Sequence, residues 1–289
     1  MEQLCEFKQH LEQSEKSSLT VEKYTRDALC LCIWLGNRPL NKGAMLEFKA
    51  ALMERYAVSS VNSILSAVNQ YLEFIGRGDC RVKTIREQRR IFRPAERELT
   101  RPEYGRLIRA AAKKPRLQLL MQTICATGIR VSEHRFITVE AARAGFAQVR
   151  LKGKNRIVLL PKKLCAALLR YAKERKISRG SIFITSRGRP LDRCTVWAEM
   201  KKLCAAAGVH RAKVFPHNLR HLFARTYYSL EKDIVRLADI LGHSSINTTR
   251  IYTATSPEEH RQMLDRLTAM IHAKKPPRKG GFIINGQNP

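Results

Sequence analysis

Acidic residues are scarce in this sequence: 25 Asp and Glu stand against 54 Lys and Arg in 289 residues, a formal net charge of +29. Long apolar runs are also missing, since no stretch approaches the roughly 18 consecutive apolar residues that a membrane-spanning helix needs. The N-terminus lacks the basic-then-apolar pattern of a secretory signal peptide. These absences argue against a membrane or secreted protein and predict a cytoplasmic one.

Patterns that bind metals, nucleotides or cofactors are absent as well. The eight cysteines are scattered, form no CxxC pair and stand in no Cys/His cluster with zinc spacing. The sequence has no Walker loop, no GxGxxG motif and no carboxylate cluster of the kind that holds two metal ions. We therefore expect reduced thiols, no metal and no cofactor.

The basic charge lies almost entirely in one part of the chain. Residues 1–75 carry 8 basic and 9 acidic side chains, whereas residues 76–289 carry 46 basic and 16 acidic ones. A surplus of this size favours a polyanionic partner, because each neutralised phosphate releases condensed counterions. Charge alone does not separate a DNA-binding protein from a ribosomal type of protein or from a merely basic surface.

The apolar periodicity indicates a helical domain followed by a basic connector. Residues 1–75 show helical spacing and predict a small all-helical domain. Residues 76–98 follow as either a solvated linker or a strand that crosses a phosphate backbone. The connector contains four candidate DNA contacts: Arg86, Arg89, Arg90 and Arg93.

A second, mainly helical domain is expected over residues 99–272, with a basic tail over residues 273–289. Thr100 and Glu103 have the spacing of a capping box and predict a helix start. Over residues 148–161 apolar and polar residues alternate around a Gly- and Asn-containing turn, which predicts a β-hairpin with lysines at its tip.

Three short motifs in the second domain carry residues suited to phosphate chemistry. The stretch ATGIRVSEH (126–134) places Arg130 two residues after the glycine of a Thr-Gly break. The stretch FPHNLRHLFAR (215–225) places His217 and Arg220 three residues apart, on one helical face. In LADILGHSSINTTRIY (237–252), His243 follows a glycine helix stop and Tyr252 comes nine residues later.

Each of these residues has a plainer interpretation when it is taken alone. Arg130 could be a surface arginine, and a lone histidine is usually a hydrogen-bonded residue at a helix end. Tyr252 could be a packed aromatic, and Tyr227 and Tyr228 are rival nucleophiles because they lie close in sequence to the second motif.

Together, the three motifs and the hairpin, in this order over most of residues 99–256, resemble the tyrosine recombinase (phage integrase) family. The resemblance implies two phosphate-clamping arginines, a nucleophilic tyrosine, a histidine in the second motif, a His-or-Trp position in the third, and an acid that supports the first arginine. The residues at these positions are Arg130, Arg220, Tyr252, His217, His243 and Glu133. One departure is His134, which stands where a leucine is common in the family.

The resemblance also implies a catalytic lysine at the hairpin tip. Family members usually show a longer tip, Gly-Lys-Gly-x-Lys-x-Arg, whereas this sequence reads KGKNR and is one residue shorter. Lys152, which directly precedes a glycine, is the preferred candidate, and Lys154 is the alternate.

Physical chemistry supports these roles independently. A phosphodiester under attack develops charge on its nonbridging oxygens, and without a metal ion that charge needs fixed donors. Arginine suits this task, because its planar fork makes bidentate contacts and stays charged. A lysine whose pKa is lowered by nearby arginines could protonate the departing 5′ oxygen. His217 could accept the tyrosine proton or bond to the phosphate, and the sequence leaves both roles open.

The implied architecture is mainly α with a small β-hairpin: a two-domain DNA clamp with a helical core-binding domain (1–75) and a catalytic domain (99–272). The implied function is site-specific recombination through a 3′-phosphotyrosyl intermediate, of the integrase/excisionase type or the Xer type. The alternatives are a type IB topoisomerase that relaxes DNA and a non-catalytic DNA-binding regulator.

The expected partners are double-stranded DNA at a site with inverted repeats and further copies of this chain. An apolar stripe near the C-terminus could pack on its own domain, but the resemblance implies that it docks into a neighbouring protomer of a tetramer. The stripe comprises Met263, Leu264, Leu267, Met270 and Ile271.

Overall fold

The computed structural model divides the chain into two compact units, Met1–Arg89 and Arg90–Pro289. Their boundary falls inside the connector expected over residues 76–98. Both units are mainly helical, and the described part of the chain contains one two-stranded sheet, which confirms the expected fold class. No helix among these described residues is long and apolar enough to cross a membrane. The residues that the structure describes are 2–86, 97–151, 154–252 and 257–272.

The first unit contains four helices: α1 (Glu2–Gln13), α2 (Ser18–Leu35), α3 (Lys42–Arg55) and α4 (Val58–Phe74). The side chains of Ser17 and Asn41 cap the starts of α2 and α3 by accepting hydrogen bonds from main-chain N–H groups. The apolar faces of the helices meet in two buried clusters, one that contains Phe7 and one that contains Phe48 and Leu65, all fully buried. Burial of these faces, more than intrinsic helix propensity, stabilises helices of this length.

Two asparagines of α4 hold the chain that follows that helix. The amide of Asn69 donates to the carbonyl of Val82 (2.8 Å) and accepts from its N–H (3.0 Å). Asn62 makes the same pair of bonds to Ile85, at 2.9 and 2.7 Å. Residues 81–86 form no strand, because side-chain amides rather than a neighbouring strand satisfy their main chain. The first part of the expected connector therefore packs on α4, and Arg86 follows it as an exposed residue.

The second unit begins with the capping box that the sequence predicts. Thr100 accepts from the N–H of Glu103, and the Glu103 carboxylate accepts from the N–H of Thr100 at 2.8 Å. The helices of this unit are α5 (Arg101–Ala110), α6 (Pro115–Thr127), α7 (Val139–Ala144), α8 (Lys162–Glu174), α9 (Arg193–Lys201), α10 (Cys204–Ala207), α11 (Pro216–Glu231), α12 (Ile234–Leu241), α13 (Ile246–Thr249) and α14 (Pro257–His272).

The predicted hairpin is confirmed as β1 (Phe146–Leu151) and β2 (Lys154–Leu159), which pair antiparallel. Alternation along β2 places Arg156 and Val158 on one face and Ile157 on the other. The first face is turned inward, since Val158 is 4% exposed whereas Ile157 is 63% exposed. An arginine therefore occupies an inward position of a strand.

Two glycines end the helices that lead into the centre of the second unit. Gly128 follows α6 with a positive φ of 66°, and a Cβ there would lie 2.4 Å from the ring of Phe223 on α11. Gly242 follows α12 with φ of 64°, and a Cβ there would lie 2.6 Å from Cδ of Arg156. Both positions need glycine for its left-handed backbone and for the close approach of a neighbouring side chain.

Candidate active site

The first motif forms the turn after α6. Arg130 stands at the start of the 3-10 helix Val131–Phe136, and its N–H donates to Glu133 Oε2 at 2.7 Å. Its Nη1 donates to the other carboxylate oxygen at 3.0 Å. The Glu133 side chain is 1% exposed and that of Arg130 is 37% exposed. Glu133 therefore orients a guanidinium that remains accessible to an anion.

Arg220 of the second motif is the largest fully buried side chain in the described part of the protein, with 1% exposure. Its Nη1 donates to the carbonyl of Gly128 at 2.6 Å. Its Nη2 donates to the carbonyl of Leu241 at 2.8 Å and to Nε2 of His243 at 2.9 Å. Arg220 thus joins the second motif to the turns of the first and third.

Three arginines converge on the C-terminal end of α12. Arg156 donates to the first of the carbonyls 240–242, Arg220 to the second and Arg130 to the third, the last at 3.4 Å. The last carbonyls of a helix have no partner inside the helix and carry a partial negative charge, so they attract cations. We call Arg130, Arg156 and Arg220 the arginine cluster.

Glu133 is the only carboxylate that is buried among the described residues of the second unit. Besides Arg130 it accepts a 2.5 Å hydrogen bond from Arg156. Burial raises the pKa of Glu133, but the charge of Arg156 and the hydrogen bonds of Arg130 outweigh burial and hold the pKa below its usual range. Burial, followed by the charge of Arg130, lowers the pKa of Arg220 to about 10, so Arg220 is still a cation at neutral pH. Three guanidiniums against one carboxylate leave a positive excess suited to a phosphate.

His243 of the third motif is fixed at both ring nitrogens. Because arginine only donates, Nε2 accepts from Arg220, and Nδ1 carries the proton that it donates to Oγ1 of Thr249 at 2.8 Å. Burial, followed by the charges of Arg220 and Arg130, lowers the pKa of His243 to about 4. The ring is therefore neutral at physiological pH.

Tyr252 ends the 3-10 turn Arg250–Tyr252 and is 4% exposed. Its ring lies parallel to that of His243, with centroids 6.2 Å apart, and meets the ring of His221 edge-on at 5.0 Å. His221 in turn meets His217 at 4.5 Å. Desolvation and the charges of Arg220 and Arg130 lower the pKa of His217. The tyrosine thus lies beside His243 and His221, and His221 separates it from His217. It is also close enough to Arg220 to oppose, in part, the lowering of that arginine's pKa.

The structure brings together six of the residues singled out from the sequence: Arg130, Glu133, His217, Arg220, His243 and Tyr252. Lys152 and three connector arginines, Arg89, Arg90 and Arg93, lie outside the described residues. Lys154 begins β2, and Arg86 belongs to the first unit. No group of three potential metal ligands is gathered in the residues that the structure describes.

Two neighbours of the site, Arg156 and Thr249, were not assigned a role from the sequence, whereas His221 was expected to be a structural or phosphate-positioning residue. For Arg156 a signal was present, because strand alternation turns it inward with Val158, where an arginine needs a buried anionic partner. Thr249 carries no such signal, since its contact with His243 depends on how the third motif folds on itself. The ring contact of His221 depends on how that motif lies against α11.

Stability should fall on the acid side of neutrality. His134 is 2% exposed; its Nδ1 donates to the carbonyl of Val131, while Nε2 finds no partner among the described residues. Burial lowers the pKa of His134, as it does that of His243. The unfolded chain therefore binds more protons below about pH 6.5, and stability decreases as pH falls through this range.

Replacing His134 with leucine should reduce the loss of melting temperature between pH 7 and pH 5. The matched control is His10→Leu at an exposed position, which should leave the acid loss as it is in the wild type. An unchanged acid loss in His134→Leu would show that this residue does not titrate on unfolding.

Comparisons with known proteins identify the family. Residues 97–259 match the model of the Phage integrase family. Tyrosine recombinase XerA of Pyrococcus furiosus is 31% identical over 274 residues, which cover 92% of this chain and 93% of XerA.

Two similar solved structures are of lambda integrase. The dimer of residues 75–356 bound to a COC′ core site has a TM-score of 0.70 at 19% identity and covers 87% of this chain and 94% of that one. The tetramer bound to a Holliday junction has a TM-score of 0.68 at 20% identity and covers 87% and 76%. At these identities the likeness concerns the fold.

The family match and the full-length relative confirm the resemblance seen in the sequence, and they do not favour a type IB topoisomerase or a non-catalytic regulator. The chain belongs to the phage integrase family and is a tyrosine recombinase, an enzyme of site-specific recombination that breaks and rejoins DNA.

Proposed function

We propose that Tyr252 is the nucleophile of this recombinase and that Arg130 and Arg220 of the arginine cluster hold the scissile phosphate. The observation that carries the proposal is the convergence of three guanidiniums, with one buried carboxylate, beside the ring of Tyr252. Fixed donors of this kind are most effective where charge develops during a reaction, because they need not reorganise at that moment. Arg130 and Arg220 supply donors to the nonbridging oxygens, and Glu133 holds Arg130 in place.

The cleavage step exchanges one ester for another. Oη of Tyr252 forms a bond to phosphorus and the bond from phosphorus to the 5′ oxygen breaks, which leaves a 3′-phosphotyrosyl ester and a 5′ hydroxyl. The tyrosine proton passes to His217 or to solvent. The departing oxygen takes a proton from Lys152 or, as the alternate, from Lys154. Because the new ester retains the bond energy, attack by another 5′ hydroxyl rejoins DNA without ATP.

His243 is proposed to bond to the phosphate as a neutral ring. Phosphate oxygens only accept, so Nε2 must carry the proton once Arg220 turns its donor to the phosphate. The hydroxyl of Thr249 can accept from Nδ1 or donate to it, so it accommodates both tautomers of His243.

The proposed DNA partner is a duplex site with inverted repeats. The basic connector with Arg86, Arg89, Arg90 and Arg93, and the surface of the second unit, supply phosphate contacts, and the first unit is proposed as the core-binding domain. Full-length similarity to XerA favours a reaction of the Xer type over an integrase or excisionase. We propose a cytoplasmic location, since such a reaction acts on the cell's DNA.

The proposed partner protein is a second copy of this chain, and the assembly on DNA is a tetramer joined through α14. Met263, Leu264 and Leu267 form an apolar stripe on this helix with 66%, 49% and 53% exposure. Burying such a stripe in a neighbouring protomer would remove apolar area from water and join the subunits.

Changing Met263, Leu264 and Leu267 together to serine should impair recombination more than cleavage. We expect the triple variant to cleave site DNA close to the wild-type rate but to lose most strand exchange, measured as recombinant product from two sites. The matched control changes three polar residues of the same helix, Gln262, Asp265 and Thr268, to serine. If the variant that lacks the three apolar side chains recombines DNA as well as the control does, docking through this stripe is contradicted.

A plasmid assay tests the proposed function as a whole. Duplexes bound by the protein are selected from a random library, and two copies of the selected site are placed on a supercoiled plasmid. We expect deletion or inversion of the segment between the sites by the wild type and none by Tyr252→Phe. Relaxation of plasmids without a site, and no recombinant from plasmids with two, would instead indicate a topoisomerase.

A further inference from the structure

Arg156 connects three parts of the site that are far apart in sequence. It lies on β2, and one end of its guanidinium fork donates to Glu133 Oε2 at 2.5 Å. The other end donates to the carbonyl of Ile240 at the end of α12. Its side chain is 13% exposed. Both ends of the fork thus make hydrogen bonds within the protein.

The Arg156 side chain packs closely against the turn that follows α12. A Cβ on Gly242 would lie 2.6 Å from Cδ and 3.0 Å from Nε of Arg156, so the turn before His243 presses directly on this side chain. Nε of Arg156 is buried without a partner among the described residues. An unpartnered buried donor costs free energy. At this position one donor of Arg156 is left without a hydrogen bond, while the fork remains bonded to Glu133 and to the end of α12.

Arg156 is also close to the hairpin tip. It pairs across the hairpin with Val149, and Lys154 lies two residues before it on the strand. A two-stranded ribbon is only marginally stable by itself. The outer face offers little support, since Ile157 and Leu159 are 63% and 76% exposed. Near its tip the hairpin is therefore anchored by two inward side chains, Val149, which is 1% exposed, and Arg156.

We propose that Arg156 is a positioning residue that ties the lysine-bearing hairpin to Glu133 and to the turn of His243. Through these bonds the hairpin, the acid that orients Arg130 and the end of α12 keep one relative arrangement. The proposal deepens the proposed function and rests on it for the link to cleavage.

The first test replaces Arg156 with glutamine or lysine and measures single-turnover cleavage of the selected site at saturating protein. Loss of an outer residue that orients a metal ligand costs about 10- to 100-fold, and by analogy we expect a loss in rate of this order for Arg156→Gln. Arg156→Lys keeps the positive charge but not the forked guanidinium, and it should retain part of the cleavage rate that Arg156→Gln loses. The control is Arg150→Gln, which removes the same charge from an exposed position of the same hairpin and should cleave at the wild-type rate once DNA is saturating.

The pH profile separates positioning from a general loss of structure. The charged groups that act on Glu133 are Arg156, Arg130 and Arg220. Without Arg156 the pKa of Glu133 rises, so cleavage by Arg156→Gln should fall on the acid side and recover at higher pH. The wild type and Arg150→Gln should lack this acid limb. A uniform loss of rate at every pH would overturn the proposal.

A double variant tests whether Arg156 acts through Glu133. Glu133→Gln with Arg156→Gln should cleave within about twofold of Glu133→Gln alone, since residues in one network do not add. Multiplied losses would overturn the link. The melting temperatures of the two single variants and the double variant give a test that does not depend on cleavage. Non-additive shifts in melting temperature support the Arg156–Glu133 link even if the nucleophile is not Tyr252. Additive shifts contradict the link.

Discussion

Tyr252→Phe is expected to abolish covalent attachment to DNA and to leave binding of the site unchanged. The substitution removes only the hydroxyl, and the ring that remains keeps its packing against His221 and His243. Without the oxygen no ester to phosphorus can form, so the effect is a complete loss and not a reduced rate. The measurement is the amount of DNA that stays attached to protein in denaturing gels, with binding followed by mobility shift.

Tyr227→Phe and Tyr228→Phe are the matched controls for this loss. Both tyrosines are half-buried on α11 and pack on the cluster that contains Tyr252. Each variant removes one hydroxyl from the same region and should form the covalent product at the wild-type level. A covalent product from Tyr252→Phe, or its loss in one of the controls alone, would move the nucleophile to another residue.

Lys152→Ala is expected to cleave ordinary DNA roughly 10²- to 10⁴-fold more slowly than the wild type, the usual contribution of positioned proton transfer. An alkoxide is a poor leaving group, so the departing 5′ oxygen needs a proton. When sulfur replaces that bridging oxygen, the leaving group is a thiolate and needs little help. The variant should therefore cleave the sulfur-substituted site nearly as fast as the wild type.

Lys154→Ala is the control that distinguishes the two hairpin lysines. A variant that has lost only a phosphate contact should be slow on both substrates, and we expect this pattern for Lys154→Ala if it is slow at all. Rescue of Lys154→Ala and not of Lys152→Ala would transfer the role of acid to Lys154. Rescue of neither would show that the hairpin does not donate the proton.

The sequence predicted those parts of the site that depend on local pattern. The Thr-Gly break and Gly242 interrupt the helices in the sequence, and the structure places Arg130 two residues after Gly128 and His243 directly after Gly242. Thr100 and Glu103 form the expected capping box, and strand alternation with a short turn predicted the hairpin. Each of these features is decided within a few residues of chain, so sequence alone carries the information.

The contacts that the sequence did not predict join distant segments. Arg156 reaches Ile240, 84 residues away, and Glu133, 23 residues away. The amides of Asn62 and Asn69 replace a partner strand for the segment that follows α4, which local pattern read as a linker or a strand. Such contacts depend on how the helices and strands pack against one another, so the partners cannot be found from the spacing of residues along the chain.

The central claim is that Tyr252 becomes bonded to the scissile phosphate, and peptide mapping of the trapped product tests it directly. The wild-type protein is incubated with a selected site nicked so that the released fragment diffuses away, and the attached DNA is digested to a short remnant. After proteolysis, mass spectrometry should locate the remnant on Tyr252, as a 3′-phosphoryl ester. A remnant on Tyr227, Tyr228 or any residue other than Tyr252 would contradict the account.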